Sequence, residues 1–163
     1  MSPPHSLRLA TAATPHKALL AVARSMESYR SRMMSKGAWF DAARAGNLEV
    51  INERLSAGQE VDMVGDWGRT ALFLAADSGH AAVVRRLIQA GANPSIMEIG
   101  LDNMTALHAA TWHGYVDVVR ALCDGGADPN AVNWSNRRPL QLIEGSNCRS
   151  TEMRQQLRDL LTA

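Results

Sequence analysis

The chain has 163 residues, of which 46% are apolar and 20% charged, so it is long enough to bury one hydrophobic core without disulfide or metal support. A formal net charge of +1 argues against electrostatic binding of nucleic acid or of an anionic membrane. Two cysteines are too few for a secreted disulfide framework and lack the spacing of a zinc site, so we expect a reducing, cytoplasmic location.

The first 35 residues differ in charge from the rest, with five basic side chains against one acidic one. Residues 1–15 contain three prolines and no apolar period, which predicts a disordered leader. Residues 16–35 are predicted to form an amphipathic helix, because apolar side chains recur at helical spacing at Leu19, Val22, Met26, Tyr29 and Met33. This helix covers the open end of the following domain, or the segment targets an organelle, or translation begins at a later methionine.

Pairs of glycines recur after residue 35, and the two glycines of each pair are 12 residues apart: Gly46 and Gly58, Gly79 and Gly91, Gly114 and Gly126. Between them, apolar doublets spaced by four residues are typical of a buried helical stripe that ends at a glycine. Alanines precede the first glycine of each pair, so a second helix can approach closely. The period is 33 to 35 residues, with a two-residue insertion within residues 96–104.

This periodicity predicts four helix-turn-helix units over residues 36–68, 69–103, 104–136 and 137–163, joined by hairpin loops. The predicted helices span residues 38–45 and 48–56, 71–78 and 81–89, 106–113 and 116–124, and 139–144 and 151–161. Short turns between the helices of a unit make them antiparallel neighbours. The fold class is therefore all-α, a solenoid of about four repeats preceded by an N-terminal helix.

Several short motifs recur at matching positions of the units. They are Thr70-Ala71-Leu72-Phe73, Thr105-Ala106-Leu107-His108, Gly79-His80 and Gly126-Ala127-Asp128-Pro129-Asn130. With this spacing, residues 36–163 resemble the ankyrin-repeat family. The first unit lacks the threonine motif and the last lacks its glycine, so we expect both to act as caps. The resemblance implies that His108 and His80 have structural roles, and that His108 hydrogen bonds to backbone.

The sequence contains no pattern of a catalytic or metal site. A nucleophile elbow, a phosphate-binding glycine loop and a His-Glu-x-x-His motif are all absent. Cys123 aligns with the helix positions of Leu55 and Ile88, which predicts a buried side chain rather than a nucleophile. We therefore expect no enzymatic activity, no cofactor and no metal ion.

The resemblance implies that another protein binds the hairpin tips and the exposed face of each first helix. Alignment places at these positions Asp66, Trp67, Arg69, Asp77, Ser78, Trp112, His113, Trp134 and Arg137. Tryptophan and arginine are enriched in binding hot spots, and Trp112 is the predicted centre. In the alternative interpretation, Trp67 and Trp134 fold onto neighbouring hairpins and onto the insertion.

These observations together predict an adaptor or regulator that binds another protein. We expect it to be monomeric when unbound, without nucleic-acid binding or membrane insertion. The alternative is a structural or chaperone-like subunit that is permanently bound in a complex.

Overall fold

A computed structural model describes residues 22, 24, 26, 35–100, 102–146, 148 and 150–162. The chain divides into two units, Met1–Met33 and Met34–Ala163. In the first unit, Val22, Arg24 and Met26 are helical and exposed. The predicted leader at 1–15 lies outside the described residues, and so does the predicted helix at 16–35 apart from these three residues and Ser35. Ser35 caps the first helix of the second unit.

The described part of the second unit contains eight α-helices: α1 Lys36–Ala45, α2 Leu48–Ser56, α3 Ala71–Asp77, α4 Ala81–Gln89, α5 Ala106–His113, α6 Val116–Asp124, α7 Pro139–Leu142 and α8 Thr151–Thr162. Each begins and ends within two residues of its predicted bounds. Among these residues, extended pairing is limited to the isolated bridges Val64–Thr70 and Met97–Thr105. The predicted all-α class is confirmed.

The helices form two layers. In the inner layer α1 packs on α3, α3 on α5 and α5 on α7, while in the outer layer α2 packs on α4, α4 on α6 and α6 on α8. Within each unit the inner helix also packs on the outer one. Each unit therefore buries its apolar face against the next, as expected for a solenoid.

Threonine and glycine fix where the inner helices begin and end. The hydroxyl groups of Thr70 and Thr105 accept the amide protons of Phe73 and His108, which caps α3 and α5. Gly114 ends α5 with a φ of 79°, in the left-handed region that favours glycine. A Cβ there would lie 2.7 Å from Cβ of Cys148, so the close approach of the fourth unit also requires glycine.

The core lies between the two layers. Trp39, Leu72 and Leu107 occupy equivalent positions on the inner helices and are almost completely buried, as their alignment predicts. Cys123 is half-buried, like Leu55 and Ile88, so the expectation of a core cysteine was wrong. The reason is that these residues follow the fully buried stripe by one position, which places them at the edge of the packed face.

Candidate partner-binding surface

Hairpin 1, residues 62–70, presents Trp67 on an uncommon turn. Trp67 and Gly68 both have positive φ, at 60° and 66°, and the amide of Arg69 donates to the carbonyl of Asp66 at 3.3 Å. This is the geometry of a type I′ turn, in which a bulky residue is a rare occupant. The indole of Trp67 is 70% exposed, so it does not fold onto the neighbouring hairpin.

Hairpin 2, residues 95–105, carries the two-residue insertion and packs against hairpin 1. The amide of Ile99 donates to the carbonyl of Trp67 at 2.6 Å. The side chain of Ile99 lies over Gly68, where a Cβ would be 2.6 Å from Cγ1 of Ile99, yet Ile99 remains 68% exposed. The insertion therefore extends the apolar surface of Trp67 by one side chain.

A buried charge pair joins the same two hairpins. Glu98 is 2% exposed, and its Oε2 lies 3.5 Å from Nε of Arg69 as an ion-pair contact without hydrogen-bond geometry. The guanidinium of Arg69 also lies over the ring of Phe73, 5.4 Å from its centroid. Arg69 therefore holds hairpin 2 against hairpin 1 and the inner helix α3.

Hairpin 3, residues 129–138, is held by Asp102 of hairpin 2. The carboxylate of Asp102 accepts hydrogen bonds from the side-chain amide of Asn133 and from both the backbone amide and the hydroxyl of Ser135. The backbone carbonyl of Asp102 accepts a hydrogen bond from the backbone amide of Trp134 at 3.0 Å. The indole of Trp134 is nevertheless 66% exposed, while its backbone is fixed.

His108 anchors hairpin 3 from below. Its side chain is fully buried, Nε2 lies 3.0 Å from the carbonyl of Arg137, and Nδ1 lies 2.8 Å from the hydroxyl of Thr105. A carbonyl only accepts, so Nε2 carries the proton and Nδ1 accepts from the hydroxyl of Thr105. Burial lowers the pKa of His108 from its usual 6.5, partly offset by the bond to Arg137 and by Asp102, which favours this neutral form. The predicted structural role is confirmed.

The predicted residues on the inner helices are less exposed than expected. His113 pairs with Asp77 at 3.1 Å and stacks on Tyr115, and Ser78 is half-buried. Trp112 is also half-buried, because its ring packs on Gly145 of the fourth unit, where a Cβ would lie 3.1 Å from the indole. The expectation that Trp112 lies on an open face was therefore wrong, although its role in binding stays a prediction.

The repeat architecture agrees with sequence comparison. The family model described as ankyrin repeats (3 copies) matches residues 39–133, more than half of the chain. This chain belongs to the ankyrin-repeat family. The match ends before the fourth ankyrin repeat, whose shortened α7 and loop at Gly145 depart from the regular unit.

The relatives share only part of their length with this ankyrin-repeat chain. Ankyrin repeat domain-containing protein 29 of Danio rerio is 40% identical over 67 residues, 40% of this chain and 22% of that protein. The mitochondrial disaggregase of Bos taurus is 37% identical over 78 residues, 47% of this chain and 12% of that protein. The human mitochondrial disaggregase is 36% identical over the same number of residues, 47% of this chain and 11% of its own length. The chain thus spans less than a quarter of each relative.

Side chains that could hold a metal ion do not converge in the described ankyrin repeats. Across residues 35–100 and 102–146 and the other described positions, no three histidine, cysteine or acidic side chains are grouped to hold a metal ion. Burial raises the pKa of the Cys123 thiol, with a smaller contribution from Asp124, which disfavours the nucleophilic thiolate. None of the helices described here is long and apolar enough to cross a membrane.

The sequence predicts hairpin positions for five of the site residues, and all five lie on hairpin 1 or hairpin 3: Asp66, Trp67, Arg69, Trp134 and Arg137. It missed the exposure of Ile99, and it missed Glu98 and Asp102 as the groups that hold the ankyrin hairpins together. The insertion at 96–104 was the available signal, since an extra segment in a hairpin must cover a neighbour or extend into solvent.

Proposed function

We propose that this ankyrin-repeat chain is an adaptor or regulator that binds another protein. Ankyrin repeats are generally protein-protein interaction modules, and the family match supports that coarser assignment. The surface we propose is the hairpin ridge, defined as Trp67, Ile99 and Trp134, together with the adjoining inner helices. The observation that carries the proposal is the exposure of these three apolar side chains, 70%, 68% and 66%, on successive hairpins.

The geometry of the hairpin ridge suits binding for two reasons. Large apolar side chains on a surface favour a partner that removes them from water. Their backbones are also fixed before binding, through the bond from Ile99 to Trp67 and the bond from Trp134 to Asp102. A preorganised surface loses little conformational entropy on association, so more of the contact energy contributes to affinity.

Affinity purification with matched baits tests the proposal. The wild-type chain, a Trp67→Ala/Trp134→Ala variant and a Met153→Ala variant are used to capture proteins from the same extract. Met153 is also exposed but lies on the outer helix α8 and not on a hairpin. Quantitative mass spectrometry should find proteins retained by wild type and Met153→Ala but reduced about tenfold or more with the double variant. Equal capture by all three folded baits would refute the hairpin ridge as the binding surface.

The alternative is a structural or chaperone-like subunit, which the same apolar exposure favours. A permanently bound subunit should dimerise or aggregate when isolated, because the hairpin ridge would lack its partner. An adaptor should elute from gel filtration as a monomer. We propose that the unbound chain is monomeric and that it is located in the cytoplasm. The alternative location is an organelle, reached through targeting by the basic N-terminal segment.

A further inference from the structure

A cavity of about 270 Å³ adjoins the hairpin ridge at the first repeat. It lies between helix α1, hairpin 1 and the inner helix α3. Its lining includes the aromatic side chains of Phe40 and Trp67 and the charged side chains of Asp41, Arg44, Asp66 and Arg69. Phe40 is fixed against Gly65, where a Cβ would lie 2.8 Å from the ring. Aromatic and ionic residues thus line the same cavity.

The charges around this cavity favour a cation. Arg69 is matched by the buried carboxylate of Glu98. Asp41 and Arg44 are three residues apart on α1, so they are neighbours of opposite charge. The four charged residues of the lining sum to zero, and counting the buried Glu98 that pairs with Arg69 leaves one carboxylate in excess. Within the described residues, the exposed carboxylate of Asp66 takes part in no hydrogen bond or ion pair.

We propose that this cavity binds an arginine side chain of the partner protein. Asp66 accepts hydrogen bonds from the guanidinium, and Trp67, next to it on the turn, offers its indole face for stacking. Arginine fits both groups, because its planar fork matches a carboxylate and stacks on aromatic rings, whereas lysine supplies only a compact charge. The inference rests on the proposed function, since it names the chemistry that the same surface recognises.

Titration with small arginine derivatives tests the cavity directly. The probe is N-acetyl-L-arginine amide, followed by the NMR signal of the Trp67 indole N–H. The control probe is N-acetyl-L-citrulline amide, which has nearly the same shape without the charge. Arginine should produce a saturable shift, and citrulline should need about tenfold or higher concentration for the same shift. N-acetyl-L-lysine amide should bind between the two.

Variants assign the binding to the named residues. Asp66→Asn should weaken binding of the arginine derivative about tenfold. Trp67→Ala should weaken it about two- to fivefold, as measured from the amide signals of neighbouring residues. Glu49→Gln is the matched control, because Glu49 is an exposed carboxylate on the outer helix α2 and should leave the affinity unchanged. All of these positions are exposed, so circular dichroism should show folding like wild type.

Two results would overturn the proposal. Equal binding of citrulline and arginine would remove the role of charge, and tighter binding of N-acetyl-L-glutamate amide would make this an anion site at Arg44 and Arg69. Affinity purification with an Asp66→Asn bait separates this proposal from the proposed function. Capture that depends on Trp67 but not on Asp66, together with failure of the arginine titration, contradicts only the arginine site. Capture that is indifferent to Trp67 and Trp134 contradicts the hairpin ridge itself.

Discussion

Replacing His108 with alanine should weaken the junction between the third and fourth repeats. The substitution leaves the carbonyl of Arg137 and the hydroxyl of Thr105 without their partner. A buried polar group left unsatisfied costs about 1 to 3 kcal/mol. The side chain is fully buried, so the cavity adds about 1 to 2 kcal/mol. We therefore expect His108→Ala to lower the free energy of unfolding by about 2 to 5 kcal/mol.

Urea denaturation followed by circular dichroism measures this loss, and hydrogen exchange locates it. His113→Ala is the matched control, because His113 is half-buried and pairs with Asp77 near the surface. Such a pair is worth at most about 1 kcal/mol. Exchange should increase most in hairpin 3, residues 129–138, because His108 is its anchor. An unfolding free energy of His108→Ala within about 0.5 kcal/mol of wild type would mean that the buried bonds of His108 contribute nothing net to stability.

The pH dependence of folding, truncation of the core and the contact of Trp112 provide further tests. Burial lowers the pKa of His108 below 6.5, so at low pH the unfolded state binds more protons than the folded state. The contribution of His108 to stability should therefore be complete above about pH 6.5 and decrease at lower pH. Urea midpoints measured between pH 7.5 and pH 5 should decline less for His108→Gln than for wild type. Leu122→Ala should destabilise by about 2 to 4 kcal/mol and Val84→Ala by less, because both are fully buried; unchanged thermal melting of both would mean that the repeat register is wrong. Trp112→Ala should cost about 1 kcal/mol, since its ring packs on Gly145, and should weaken partner binding less than Trp67→Ala does; calorimetric titration compares the two affinities.

The helices could be predicted because their signals are local and repeated. Thr70 and Thr105 cap their helices through bonds to residues three positions later, and the capping groups lie within one turn. The glycines mark the helix ends, and the apolar doublets mark the buried face. Even the buried position of Trp39 followed from its alignment with Leu72 and Leu107.

The exposure of the binding residues was harder to predict, because it depends on contacts between repeats. The ring of Trp112 packs on Gly145 of the fourth repeat, and that repeat departs from the regular pattern. The position of Ile99 depends on how the insertion crosses hairpin 1. The carboxylate of Asp102 bonds to residues more than 30 positions away, and no spacing within one repeat indicates such a bond.

Oxidative footprinting of the chain with and without a captured partner tests whether the partner covers the hairpin ridge. In the free protein, Trp67 and Trp134 should react readily, while the fully buried Trp39 should not. When the partner is bound, the reactivity of Trp67 and Trp134 should fall several-fold, while that of Met153 on α8 should not change. Unchanged reactivity of both tryptophans in a saturated complex would contradict binding through the hairpin ridge.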